Sequence, residues 1–377
     1  MDEWIIGMDL STLLAVEENG GKFYDRGTPG DAMEILKGYG MNLVRLRLWN
    51  DPFDDKGNSY GAGGCDIETV LALAKRAKKL GIGWLLDFHY SDFWADPGKQ
   101  RVPKAWRGMS AEELERAVYD FTFETLERCR REELLPRMVA VGNELSNGLL
   151  WPDGLLMEAT EKAYKNVAAF VSAGIRAVRD VEKRIPVMLH LDNGGNNRLY
   201  RTWFDHYFAN GGADFEYIGL SYYPFWHGTL DGLRDNMNDI ALRYGKKLVV
   251  AEVSMGFTMK DYASYERLAL DERKGMATKP EHVAMISYPM TPQGQADFMR
   301  DVLEVVREVP DGLGRGLIYW EPAWIPVPGV GWANAASCEY IQEPGPYGNE
   351  WANQALFDYE GRTLPALNVI REYAARG

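Results

Sequence analysis

Eight short runs rich in Val, Ile, Leu and aromatic residues recur along the 377-residue chain, interleaved with stretches of helical periodicity. The apolar runs cover 4–11, 42–49, 83–90, 137–144, 185–192, 217–224, 247–254 and 314–324. The helical stretches cover 31–39, 67–80, 111–134, 160–183, 200–210, 230–244, 292–309 and 365–375. Strands that read as continuous apolar runs are buried on both faces, as in a parallel sheet covered by helices. Eight such units in order, with no low-complexity linker, predict an α/β fold: a single (β/α)8 TIM barrel occupying 1–377 as one domain. A doubly wound sheet would want a Gly-rich phosphate turn after its first strand, and Gly20-Gly21 does not fit that fingerprint.

The connections are unequal. Those entering strands are short (40–41, 81–82 and 245–246), whereas those leaving strands are long (50–65, 91–110, 255–291 and 325–363). Barrel enzymes build their sites from the loops at the C-terminal ends of the strands, so chemistry is expected there.

A net charge of -13 argues against nucleic acid, whose phosphates need a basic face, and suits a neutral or cationic ligand. No run of about 20 apolar residues is present to span a membrane. Cys65, Cys129 and Cys338 are too far apart for a metal or disulfide pattern. The 12 Trp and 20 Tyr are many for this length, and aromatic rings near loops suit the apolar faces of sugars.

Two glutamates stand at strand ends. Asn143-Glu144 closes the run 138–142, and Glu252 closes the run 248–251. Alternation puts Ala140, Gly142 and Glu144 on one face, and Leu248, Val250 and Glu252 on another, both predicted to point into the barrel mouth. A single such Glu is more often a surface charge or an ion-pair member. Two of them beside Asn143 and aromatic strand ends point to glycosidic bond cleavage.

Longer stretches carry a resemblance. They are Gly7-Met-Asp-Leu-Ser11, Val44-Arg-Leu-Arg-Leu-Trp49, Leu86-Asp-Phe-His-Tyr-Ser-Asp-Phe-Trp-Ala-Asp-Pro97 and Val141-Gly-Asn-Glu144. Then come His190-Leu-Asp-Asn-Gly-Gly195, Ser221-Tyr-Tyr-Pro-Phe-Trp-His-Gly228, Tyr319-Trp-Glu-Pro-Ala-Trp324 and Asn353-Gln-Ala-Leu-Phe-Asp358. Together they resemble the arabinogalactan endo-β-1,4-galactanases, glycoside hydrolase family 53 of the large barrel clan, over nearly the whole chain. The resemblance implies a retaining mechanism, with Glu144 as general acid/base and Glu252 as nucleophile. It also implies that Asn143 bonds the sugar 2-hydroxyl and that Trp320 underlies the cleaved sugar, with a cis peptide after it.

Arg45 and Arg47 share one face of the second strand. An arginine near Glu252 would keep it ionised, and a structural pair with Asp87 or Asp9 is the plainer reading. His89 is a candidate donor to a sugar hydroxyl or a catalytic carboxylate, and Tyr222 a candidate donor to Glu252; each could instead be a packing residue. Glu321, one residue out of phase with Trp320, is expected to face the barrel wall. Trp94, Asp192, Asn193, Trp226, His227 and Trp324 are candidate linings of an open cleft.

No cofactor is expected. Bacterial members often hold calcium between the loops after strands seven and eight; calcium is possible here but is not supported by Leu268-Ala-Leu-Asp-Glu-Arg-Lys-Gly275, which lacks alternating oxygen ligands. The expected partner is a polysaccharide or oligosaccharide substrate, with no nucleic acid, no membrane and a monomeric chain. The start of the chain lacks a signal-peptide pattern: a cytoplasmic enzyme trimming imported oligosaccharides if complete, a secreted one if a leader was removed. Competing readings are another retaining β-1,4-glycanase (a mannanase or endoglucanase) and a non-catalytic carbohydrate-binding barrel. A phosphosugar isomerase or aldolase would want a phosphate loop and often a Schiff-base lysine, and neither is found.

Overall fold

A computed structural model describes residues 3–260, 278–345 and 347–376. Each apolar run forms a strand: β1 Ile5–Asp9, β2 Leu43–Leu48, β3 Gly83–Phe88, β4 Met138–Val141, β5 Val187–Leu191, β6 Tyr217–Tyr222, β7 Lys247–Val253 and β8 Gly314–Tyr319. They pair in parallel in chain order, and β8 returns to β1 to close the barrel. Closure leaves the barrel itself without a free strand edge.

Eight helices wrap the strands: α1 Ala32–Gly38, α2 Ile67–Lys79, α3 Ala111–Arg131, α4 Glu161–Val181, α5 Asn197–Ala209, α6 Leu230–Tyr244, α7 Pro292–Arg307 and α8 Ala366–Ala374. The starts of α1 to α7 are set by side-chain caps, which satisfy backbone N–H groups that have no partner within the helix. Asp66 accepts from Glu68 and Thr69, Ser110 and Glu113 form a reciprocal capping box, and Thr291 caps a helix with Pro292 in its first turn.

The barrel interior is layered. Ile5, Leu43, Leu85, Met138, Ala140, Met188, Tyr217, Val249, Ala251 and Ile318 form an apolar cluster distinct from the larger core between strands and helices. Two residues further along their strands, Arg45, Asp87 and His190 lie buried above this floor, as does Asp9, four residues beyond Ile5. Inward alternation thus carries β1, β2, β3 and β5 from apolar filling to polar machinery.

Alternation breaks down at both glutamates. In β7 it is Val249 and Ala251 that face inward, whereas Leu248 and Val250 pack against the helices, so the expected face was the wrong one. The β6 pairing jumps from Leu220↔Val250 to Ser221↔Glu252, one extra residue on β7. That bulge shifts the phase and turns Glu252 into the mouth. β4 ends at Val141, and Gly142 (φ 84°) and Glu144 (φ 47°) are left-handed. Glu144 is therefore aimed by a sharp turn rather than by the pleat.

Candidate active site

Arg45, fully buried, organises the mouth. Its Nη1 donates to Glu252 Oε1 at 2.7 Å and to Asp9 Oδ2 at 3.2 Å; its Nη2 donates to Asp87 Oδ2 and Asn143 Oδ1, both at 2.7 Å. Burial alone would raise Asp87, but the charge of Arg45 and the neighbouring His89 overcome it and hold Asp87 at about 2. Arg47 bonds Asp9 at 2.9 Å and Glu321 at 2.6 Å, and its guanidinium lies 4.7 Å from the Trp94 ring centroid and 5.4 Å from that of Trp320.

The two glutamates have different surroundings. Burial raises both, and the charge of Glu252 raises Glu144 further, well above the carboxylate range. Glu252 is pulled back by Arg45 and by the Tyr223 hydroxyl, which donates to its Oε2 at 2.8 Å. Among the described residues, the carboxyl of Glu144 has only the Ser221 hydroxyl, 2.6 Å from its Oε1. When one proton is shared between them, it therefore resides on Glu144. A carboxylate oxygen from each and a ring nitrogen of His190 all lie within 4.8 Å of one another. A metal could span that distance, but both His190 nitrogens are hydrogen-bonded and Glu252 is already neutralised by Arg45. The donor set does not call for a cation. The run 268–275, the sequence position of the family's calcium loop, lies outside the described residues.

Asn143 is fixed on both sides. Its Nδ2 donates to the Ala95 carbonyl at 2.8 Å and its Oδ1 accepts from Arg45. Gln100 donates to the Asn143 carbonyl at 2.8 Å and steadies the turn that carries Glu144.

A cleft of about 390 Å³ opens over the pair, in the range of small-molecule sites. Trp94, Asp192, Trp226, His227, Trp320, Arg47 and His89 line it. Trp94 stacks on Trp332 at 4.1 Å, and Trp320 meets the edge of Trp351 at 4.9 Å, so several indoles form one wall. Burial, with the charges of Asp96 and Glu252, pushes Asp192 up to about 6. Burial lowers His227 to about 4, so it is neutral at ordinary pH.

Other expectations need correction. Tyr223, not Tyr222, bonds Glu252: Tyr222 faces the helices, donates to the Gly228 carbonyl at 3.0 Å and stacks on Phe298. Counting inward from Tyr217 through Ser221 would have chosen Tyr223. His89 touches neither glutamate, because its ring is held between the Trp49 indole N–H at 3.2 Å and Asp87 at 3.1 Å. Trp324 is buried behind the wall, its indole N–H donating to the Val330 carbonyl. Asn193 lies outside the described lining; its left-handed φ of 54° makes the turn before α5. The Trp320–Glu321 peptide is not cis; Glu321 instead has a φ of 49°. Glu321 is buried against Arg47 and Thr12, away from the cleft lining, and burial pushes it up to about 7.

Sequence reasoning missed His190 and Ser221 as site residues. His190 Nδ1 lies 2.9 Å from Asn143 Oδ1, and its Nε2 lies 2.8 Å from Ser221 Oγ. His190 stands two positions beyond inward-facing Met188 and Ser221 four beyond inward-facing Tyr217, which was the available signal. Trp332 and Trp351 come from the long loop after β8, where no pattern fixes direction.

Comparison with known proteins agrees with this geometry. The sequence profile of Glycosyl hydrolase family 53 matches residues 5–370. The chain is 37% identical to an endo-beta-1,4-galactanase of Bacillus subtilis, over 100% of this chain and 87% of that one. It is 33% identical to an arabinogalactan endo-beta-1,4-galactanase of Cellvibrio japonicus, over 96% of this chain and 89% of that one. Among solved structures, the GH53 catalytic domain of Ignisphaera aggregans superposes with a TM-score of 0.87 at 38% identity, covering 98% of this chain and 96% of that one.

Proposed function

The chain belongs to glycosyl hydrolase family 53, and on that footing we propose that it is a retaining endo-β-1,4-galactanase acting on galactan and type I arabinogalactan. The observation that carries the mechanism is the pair itself, two carboxylates with oxygens within 4.8 Å and opposite electrostatic settings. A retaining pair stands about 5–5.5 Å apart, whereas an inverting pair leaves about 6.5–9.5 Å for water.

Glu144, held protonated, gives its proton to the glycosidic oxygen as that bond breaks. Glu252, ionised beside Arg45, attacks the anomeric carbon from the opposite face and forms a glycosyl ester. Water, deprotonated by Glu144, then displaces Glu252 and restores both groups. Arg45 and Tyr223 both bond Glu252 and fix its attacking rotamer. One hydrogen of the Asn143 amide goes to Ala95, and we assign the other to the sugar 2-hydroxyl, a contact that strengthens as the transition state forms. Trp320 and Trp94 supply the apolar floor for pyranose C–H faces. The protein is proposed to act as a monomer on this polymer.

Digestion of linear β-1,4-galactan tests the reading, with products resolved by length. Wild type is expected to release galacto-oligosaccharides, and Glu252→Ala to regain turnover only with added azide. A wild type that leaves galactan intact and cleaves mannan or cellulose overturns the substrate assignment.

A further inference from the structure

We propose that His190 is a positioning residue that acts through Ser221 to keep the proton on Glu144 until the leaving group takes it. The inference rests on the hydrolase reading above and follows from counting hydrogens along one line of contacts. Arg45 donates to Asn143 Oδ1, and Asn143 Nδ2 donates to the Ala95 carbonyl, so the amide cannot be flipped without facing two donors together. His190 Nδ1, 2.9 Å from that same Oδ1, must therefore carry a hydrogen.

Burial, reinforced by the charge of Arg45, holds His190 well below the ordinary histidine range, so the ring is neutral and its Nε2 is bare. The only group at that nitrogen is the Ser221 hydroxyl at 2.8 Å among the described residues, and it must donate there. A hydroxyl has one hydrogen. The 2.6 Å contact between Ser221 Oγ and Glu144 Oε1 is then completed by a hydrogen on Glu144. The network closes with every donor matched when Glu144 is the acid and His190 is neutral.

Loss of the Glu144 proton to the glycosidic oxygen changes the count. Ser221 then turns its hydroxyl to the new carboxylate, and His190 Nε2 is left with no donor. When Glu144 takes a proton from water in the second step, the hydroxyl turns back. The ionised state of Glu144 thus carries an unpaired buried nitrogen, and this favours the acid form. The other titratable groups facing Glu144 are Glu252, Asp192 and Asp96; the titratable and charged groups facing His190 are Arg45, Asp87, His89 and His227. Carboxylates crowd Glu144 and favour its protonation, whereas Arg45 keeps His190 from becoming the proton's alternative home.

Nitrogen-15 NMR of the full chain labelled at its 5 histidines tests this directly. His190, assigned by its loss in His190→Leu, is expected as the neutral Nδ1–H tautomer at about pH 7; an Nε2–H tautomer or an imidazolium overturns the proposal. The second readout is the basic limb of kcat/KM on β-1,4-galacto-oligosaccharides. In His190→Leu the Ser221 hydroxyl is free to serve the carboxylate, so the limb should fall by about one pH unit, about tenfold in rate above it. A variant that is slower with an unmoved limb shows that His190 only props Asn143, and sinks the idea. If that variant does not fold, Ser221→Ala supplies the assignment through its perturbed neighbour signal, and the wild-type tautomer decides. An inactive wild type with the expected tautomer would fail the galactanase reading alone; an active one with the wrong tautomer fails this inference alone.

Discussion

Arg45 reaches Glu252, Asp87, Asp9 and Asn143 with one guanidinium, so at the scale of single residues it decides which carboxylates are charged. Glu252 must be ionised to attack, and burial works against that. Arg45→Lys keeps a charge but loses the planar fork that serves four partners. Burial then prevails further at Glu252, its proton is held to higher pH, and the acid limb of kcat/KM should rise by about one unit. An unmoved acid limb with only KM altered would count against Arg45 as the group that sustains the nucleophile. Glu144 supplies the opposite case. Its folded-state value is raised, so its contribution to stability is fully present below the unfolded value of about 4.3 and is lost as pH rises through the folded value. Glu144→Gln keeps a donor toward Ser221 and removes that loss. It should abolish acid-assisted cleavage while melting higher than wild type, by a margin that grows from about pH 4 to about pH 8. A margin that stays constant with pH refutes the assignment of strain to this carboxyl.

At the scale of elements, the barrel was legible and the aim of its side chains was not. All eight strands and seven of the eight enclosing helices fall within the ranges that apolar runs and helical periodicity mark out; α5 begins at Asn197, three residues before the range 200–210, because Asn196 caps it there. Pairing partners of a parallel barrel follow from chain order alone, so topology came with them. Direction is another matter. Alternation holds from Leu43 to Arg47 and correctly puts both arginines inside, because β2 is regular from end to end. It fails in β7, where an extra residue reverses the phase before Glu252, and no residue type advertises a bulge. At Tyr222 the pattern was sound and the wrong neighbour was chosen. The turn after β4 is the testable instance. Gly142 has φ 84°, and a Cβ there would lie 2.6 Å from Leu145 Cδ2, in a fully buried neighbour. Gly142→Ala should therefore cost about 1–2 kcal/mol of stability through the left-handed conformation and lower kcat at least tenfold as Glu144 is displaced. Thermal melts and kcat on galactan read the two effects separately. Full kcat in a destabilised variant would show that the turn holds the fold and not the acid.

The molecule as a whole carries a net charge of -13, and Asp96 and Asp192 are among the acidic residues that line its cleft. Galactan is neutral, so this field neither steers nor repels it, and water exclusion and ring stacking are left to provide binding. Pectic galactan is different, because its side chains are borne on a backbone that carries uronate groups. A polyanion approaching an anionic protein is repelled over about one Debye length, about 10 Å at 0.1 M salt and about 3 Å at 1 M. Bonds remote from the backbone lie beyond that reach, and bonds near the attachment point lie within it. Free linear galactan should then be cleaved at rates that change little between low and high salt. Backbone-attached galactan should leave longer stubs at low salt, which shorten as salt is added. Product lengths on the two substrates across a salt series measure this. Stubs of one length at every ionic strength would mean that the cleft, and not the charge of the whole surface, sets how close to the backbone the enzyme can work.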